Sequence, residues 1–277
     1  MRADFGKTFS MAFRYAFNIE RLLPFFIINI VLVGFALLFV DSAINILPLM
    51  MTNGFAIGSI VSSFLVVAAV FIIAALLNIF LRTVITDNAK LYWQKKKSRI
   101  AKSVPVAKKR YLTIVIALIL VSLISGFASS VLVPIPFLGR AFSVIASLVL
   151  TMIFLFVMQI IIISNKGAID GIREGYRLFV KSPLEIFLFL IVFAILSFVI
   201  LFVAIIPVLA VLLPIAIQSA ALFMNPNAAV FASIVSMVKA NMFSFAVAGT
   251  ISSAIFAYLY VFQESAKTFF YMQKKSR

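Results

Sequence analysis

Apolar residues run for twenty or more positions at a time along most of this chain, and polar positions fall between the runs rather than alternating with them. A helix rising 1.5 Å per residue crosses a hydrocarbon core about 30 Å thick in such a run. The pattern predicts six spanning helices, at about 22–47, 55–85, 111–133, 140–163, 183–206 and 242–270. Prolines punctuate them: Pro24 near the start of the first, Pro48 near its end, Pro134 and Pro136 closing the third, and Pro207 closing the fifth. The second span is long, roughly 45 Å of helix, so it must tilt or project from the bilayer. Gly54 and Gly58 form a GxxxG at its outer end that suits close helix packing within the chain. Residues 207–240 are apolar but broken by Pro214 and turned at Asn225-Pro226-Asn227. Each arm is too short to span, so an outer cap or a re-entrant pair is expected there.

Three stretches between the spans follow a helical period instead. In 5–18, Phe5, Phe9, Phe13 and Phe17 recur at i+4, with Lys7, Ser10, Arg14 and Asn18 elsewhere. In 168–181, Ile169, Ile172, Tyr176 and Phe179 share one face, and Asp170, Arg173, Glu174 and Arg177 the other. A weaker copy lies at 99–109, where Pro105 breaks or starts a short helix. Each reads as an amphipathic helix in the membrane interface, its aromatic face in lipid. Ser182-Pro183-Leu184-Glu185 has the order of a capping box with proline at the first helical position, so a new helix starts there.

These pieces form a threefold plan. Pro48, Pro134 and Pro207 each lie 24 positions after Pro24, Arg110 and Pro183, which mark the inner ends of the odd-numbered spans. Tyr92-Trp93-Gln94-Lys95-Lys96-Lys97-Ser98-Arg99 is echoed by Tyr271-Met272-Gln273-Lys274-Lys275-Ser276-Arg277. The expected fold class is an all-α polytopic membrane protein of six transmembrane helices, built as three parallel repeats of surface helix plus two spans. The repeats cover about 1–97, 98–164 and 165–277, the last carrying the extra apolar outer segment 207–240.

The run IIIISNKGAIDGIREGYRLFVKSPLEIFLFLIVF (residues 160–193) resembles the repeating element of a loose superfamily of six-span membrane proteins. That superfamily includes the membrane domain found beside some glycerophosphodiester phosphodiesterases, and stand-alone families of unknown function. The resemblance implies the fold and no activity, because this stretch comes without a soluble phosphodiesterase domain. It implies no site residues.

Charge fixes an expected orientation. The chain is 65% hydrophobic, 12% charged and carries a net charge of +16. Of its 24 Lys and Arg, 22 fall on one side of the six-span plan; only Arg140 and Lys239 fall on the other. Basic residues concentrate in cytoplasmic loops, so both termini are expected in the cytoplasm of a multi-pass plasma-membrane protein. The positive charge is thereby explained as topology, and nucleic acid is not an expected partner.

Chemistry is sparse. The chain has no Cys and no His, which excludes disulfides, thiolate and imidazole metal sites, and Ser-His-Asp or Cys-His catalysis. The eight acidic residues lie near span ends or in the loops. Asp87 and Glu264 hold matching repeat positions and make the best carboxylate pair, although pairing with nearby lysines is the commoner fate. The amides Asn29, Asn78, Gln159 and Gln263 lie within spans; they serve interhelical hydrogen bonds or, if they converge, line a polar cavity. No catalytic residue, metal or cofactor is expected. The strongest functional feature is a basic belt of Lys95, Lys96, Lys97, Arg99, Lys102, Lys108, Lys109 and Arg110, joined by Arg173 and Arg177. Such residues attract anionic headgroups by about 1 kcal/mol each near the surface. The expected function is therefore non-enzymatic: an integral membrane protein that binds or transports lipid or another amphipathic small molecule, with anionic membrane lipids as partners. The alternative is a membrane-embedded subunit docking a protein partner on its basic cytoplasmic face.

Overall fold

The structure, a computed structural model, describes residues 4–53, 57–95, 99–133, 139–223, 233 and 236–276. Along the chain come α1 (Phe5–Ala16), α2 (Ile19–Asn53), α3 (Ile57–Trp93), α4 (Ile100–Leu132), α5 (Gly139–Phe154), α6 (Val157–Ile163), α7 (Ala168–Lys181), α8 (Pro183–Phe223) and α9 (Met242–Lys275). Among the described residues, six segments are long and apolar enough to cross a membrane: Ile19–Ser42, Leu65–Trp93, Ile100–Leu132, Gly139–Ile163, Pro183–Ser219 and Met242–Lys275. The protein is an all-α polytopic membrane protein, as the apolar runs predict.

Several predicted boundaries move. Pro105 does not separate a surface helix from the third span; it lies in the second turn of a continuous α4. A proline that early costs one backbone bond, to the carbonyl of Ala101, and the next turns continue unimpaired. Pro207 and Pro214 likewise sit inside α8 rather than ending it, so the first arm of 207–240 prolongs the fifth span and is neither a cap nor a re-entrant arm. Pro48 lies inside α2. Around Pro207 and Pro214, apolar flanks far from water favour a helix that keeps its other hydrogen bonds over one that stops and exposes several carbonyls. Residues 236–240 are helical, and 224–232 lie outside the described residues, as do Pro134, Pro136 and Gly54. The fourth span is interrupted: α5 ends at Phe154 and α6 begins at Val157.

The chain divides into two compact units. The first comprises Met1–Arg21, Ile79–Ser197 and Tyr260–Arg277. Its core is aromatic: Phe189 lies 4.4 Å from Phe270, 5.4 Å from Phe9 and 5.6 Å from Phe156, centroid to centroid. The i+4 phenylalanines of α1 therefore do not face lipid. Phe9 is buried, Phe5 stacks on Phe270 and Phe13 meets Phe262 at 4.6 Å; only Phe17 stays exposed. The Asp4 side chain starts α1 by accepting from the Lys7 N–H at 2.9 Å. A second apolar cluster joins Ile114 and Ala117 of α4 to Val157, Met158, Ile161 and Ile162 of α6. The start of α4 is capped across the sequence, the Glu20 carboxylate accepting from the Ile100 N–H at 2.9 Å.

The second unit comprises Leu22–Asn78 and Phe198–Leu259. Small residues bring α2 and α9 together there. A Cβ on Gly249 would stand 2.6 Å from the Val33 side chain, and Asn29 donates to the Ser253 carbonyl at 3.3 Å. Elsewhere this unit exposes large apolar side chains, among them Phe71, Ile72, Val199 and Phe202. Such surface is stable only when hydrocarbon covers it.

Candidate functional site

Among the described residues, polar side chains of the first unit gather in an open cleft and in two buried clusters around Glu264 and Arg21. The cleft is built where α6 stops. Ser164 ends that helix, and Asn165 adopts the left-handed conformation (φ 58°) that asparagine tolerates, turning the chain into α7. α7 then lies against α5 and α6 through Gly171 and Gly175. A Cβ on Gly171 would be 2.7 Å from Ile161 Cγ1, and one on Gly175 would be 2.7 Å from the Ile153 carbonyl oxygen. The predicted apolar stripe docks this helix only in part: Ile172 packs against the cluster of α4 and α6 and Phe179 is half-buried, while Ile169 and Tyr176 stay exposed. The docking signal was nonetheless in the sequence, as the GxxxG of Gly171 and Gly175.

The last turns of α9 close the other side. Ser164 Oγ and the Tyr271 hydroxyl are 2.8 Å apart, and Lys275 Nζ donates to Ser164 Oγ at 3.0 Å. Lys274 Nζ donates to Ser182 Oγ at 3.2 Å and pairs with the Glu185 carboxylate at 2.5 Å. The two polar residues of the expected capping box therefore converge on one ammonium from another helix, and α8 starts at Pro183 as predicted. The resulting cleft encloses about 280 Å³. Arg177, Lys181, Lys274 and Lys275 line it with Ser164 and Tyr271, and Glu174 is the one carboxylate in its wall. Glu174 approaches Arg177 at 3.8 Å, both well exposed, which is a weak pair. Four cations against Glu174 and Glu185 leave the cleft and its rim with a net charge of +2.

The first buried cluster surrounds Glu264, which is fully buried. Its Oε1 receives Lys267 Nζ at 2.7 Å and Arg82 Nη1 at 3.5 Å; its Oε2 accepts from Gln159 Nε2 at 3.0 Å. Arg82 also lies 5.0 Å from the Tyr260 ring. Charges removed from water need such a full set of partners. For Glu264 the ion-pairing alternative holds, and the carboxylate is committed to two cations. Asp87 is also buried. The second cluster surrounds Arg21, whose Nη1 donates to the Tyr15 carbonyl at 2.7 Å and whose guanidinium lies 3.7 Å from the Tyr15 ring. The Tyr15 hydroxyl donates to Asn88 Oδ1 at 2.7 Å. Burial pushes that hydroxyl well above the usual phenol range despite the opposing pull of Arg21, so it stays a neutral donor.

The belt residues fare differently. Lys95, Arg99, Lys102, Lys108, Lys109 and Arg173 are exposed, Arg110 is half-buried, and Lys96 and Lys97 lie outside the described residues. Lys95 takes a left-handed turn (φ 56°) just past α3. Of the ten basic candidates, Arg177 enters the cleft, where it meets Lys181, Lys274 and Lys275. Those three had counted only as orientation signals, because a contact between α7 and the end of α9 leaves no trace in local spacing. The amide candidates divide between the units. Asn29 and Asn78 belong to the second and Gln159 and Gln263 to the first, where Gln159 joins the Glu264 cluster and Gln263 is half-buried.

None of the family models, curated proteins or solved structures compared with this chain matches it.

Proposed function

We propose that this chain is a non-enzymatic integral membrane protein that binds or transports lipid or another amphipathic small molecule, with an anionic headgroup held in the basic cleft. The observation that carries the reading is the two-sided character of α7. Its Arg177 and Lys181 enter the cleft, while Ile169, Tyr176 and Val180 are exposed beside them. A helix with cations on one side and bare apolar side chains on the other suits the boundary between headgroups and tails. In the second unit, an apolar groove of about 380 Å³ between Pro207, Val211, Phe243, Val247 and Ile251 has the chemistry to take an acyl segment. The charge distribution supports a cleft on the cytoplasmic leaflet of the plasma membrane, with both termini inside.

The test is native mass spectrometry of the purified protein together with flotation on vesicles of defined composition. Retained lipid with a preference for anionic headgroups is the expected result. No retained lipid and no anionic preference would overturn the reading.

A second reading, a subunit docking a cytoplasmic protein, draws on the first turns of α4. There Lys102, Val104, Val106, Lys108 and Lys109 are all exposed, while Ser103 and Ala107 anchor the helix. It predicts a co-purifying protein that is lost when Lys102, Lys108 and Lys109 are changed to Glu.

A further inference from the structure

The cleft has a definite charge and a definite donor set, and together they narrow its ligand. Resting on the reading above, we infer that the cleft takes a phosphomonoester carried on a lipid, the terminal phosphate of a diacylglycerol phosphate, in preference to a phosphodiester headgroup.

Charge is the first ground. Lys274 is committed to Glu185 and Arg177 is loosely paired with Glu174, so four cations and two carboxylates leave +2. A phosphomonoester carries about −1.5 to −2 near neutral pH, because its second ionisation lies near pH 6. A phosphodiester carries a single charge and would leave one cation of the cleft uncompensated in a site partly closed to water.

The donors are the second ground. A terminal phosphate offers three oxygens and a diester two unbridged ones. Arg177 presents a planar fork, Lys181 and Lys275 present ammonium groups, and the Ser164–Tyr271 pair holds two hydroxyl hydrogens, of which one closes the 2.8 Å bond between them. The second hydroxyl hydrogen remains for a ligand. Lys275 is held by its bond to Ser164, so its charge is placed before any ligand arrives. These donors reach the cleft from α7, α9 and the α6 terminus, so they converge on a ligand with oxygens on several sides.

The source of the phosphate follows from what borders the cleft. Tyr176 and Val180 adjoin Arg177 and Lys181 in sequence and are exposed, and Leu184 continues that apolar surface onto α8. A soluble phosphate would leave this surface bare, whereas acyl chains cover it.

The experiment uses the full chain in phosphatidylcholine nanodiscs doped with equal fractions of phosphatidic acid or phosphatidylglycerol, read by native mass spectrometry and by titration. Phosphatidic acid should be retained roughly fivefold over phosphatidylglycerol, the factor for one additional charge contact near a membrane surface. Arg177→Gln and Lys275→Gln should each abolish most of that preference. Arg173→Gln removes the same charge from the same helix outside the cleft and should leave it intact. All three positions are exposed, so folding is not at stake. Equal retention of the two acidic lipids, both above phosphatidylcholine, would overturn the inference and leave the lipid reading standing. Loss of preference in Arg173→Gln as well would overturn it in favour of undirected surface charge. Retention of neither acidic lipid above phosphatidylcholine would overturn the lipid reading itself. Displacement of phosphatidic acid by glycerol 3-phosphate at matching affinity would overturn the lipid source and assign the cleft to a soluble phosphomonoester.

Discussion

Glu264 illustrates what one residue can require of a fold. Its carboxylate is fully buried and its partners come from three helices, Arg82 on α3, Gln159 on α6 and Lys267 on its own helix. Changing it to Gln strands two cations without a counter-charge, and breaking a buried pair from one side costs about 3–5 kcal/mol. Glu264→Gln should therefore lower the unfolding midpoint in detergent sharply. The double change Glu264→Gln with Lys267→Met removes both an acid and a base and should recover part of the loss. An unchanged midpoint in the single variant would mean that the pair contributes nothing. Arg21 makes a similar point, since its guanidinium lies flat over Tyr15 and its Nη1 reaches a backbone carbonyl. Lysine keeps the charge but lacks the plane and the fork, so Arg21→Lys should destabilise measurably by the same assay.

At the scale of elements, two contacts decide how helices start and dock. Glu20 caps α4 across the sequence through the Ile100 N–H, where Arg99 supplies no side-chain cap. Losing a side-chain cap costs about 1 kcal/mol, so Glu20→Ala should produce a small drop in midpoint and faster amide exchange confined to residues 100–103. The docking of α7 is stricter. A Cβ at Gly175 meets a backbone oxygen, which cannot rotate away, while one at Gly171 meets the Ile161 side chain, which has rotamers to use. Overpacking costs about 1–3 kcal/mol. Gly175→Ala should fall at the upper end and Gly171→Ala at the lower, and the reverse order in thermal unfolding would contradict this packing. The continuous α4 and α8 belong to the same scale. Proline was legible as punctuation, but whether it ends a helix depends on its place and surroundings: Pro105 lies early enough in α4 to cost one bond, and in the apolar flanks of Pro207 and Pro214 the helix continues through them.

The whole molecule is ordered by where water and hydrocarbon can reach. The most apolar eighteen residues of the Leu65–Trp93 segment bury none of their number within the protein, whereas the Gly139–Ile163 and Met242–Lys275 segments bury 44% of theirs. Lipid should therefore cover that apolar stretch, while residues 83–89 of the same segment are buried in the protein. Orientation can be tested without removing any native thiol, because the chain has no cysteine. An impermeant maleimide added outside intact cells should label Lys239→Cys and spare Lys102→Cys and Ser276→Cys until the membrane is opened. The opposite pattern would invert the topology.

The amino-acid sequence by itself determined that this is a helical membrane protein, roughly where its spans lie, and that α1 and α7 are amphipathic. Apolar run length and the helical period are local properties, written in consecutive residues. Only the tertiary structure decided what those amphipathic faces meet. It turned the phenylalanines of α1 inward onto Phe189, Phe262 and Phe270, and docked α7 through two glycines together with Ile172, leaving Ile169 and Tyr176 of its apolar stripe exposed. It also gathered the cleft from Ser164, Arg177, Lys181, Tyr271, Lys274 and Lys275. These groups lie up to 111 positions apart, and charge or apolar character in one segment carries no record of the partner in another. Their meeting is fixed by helix packing, where steric fit and the cost of leaving a buried charge unpaired select one arrangement.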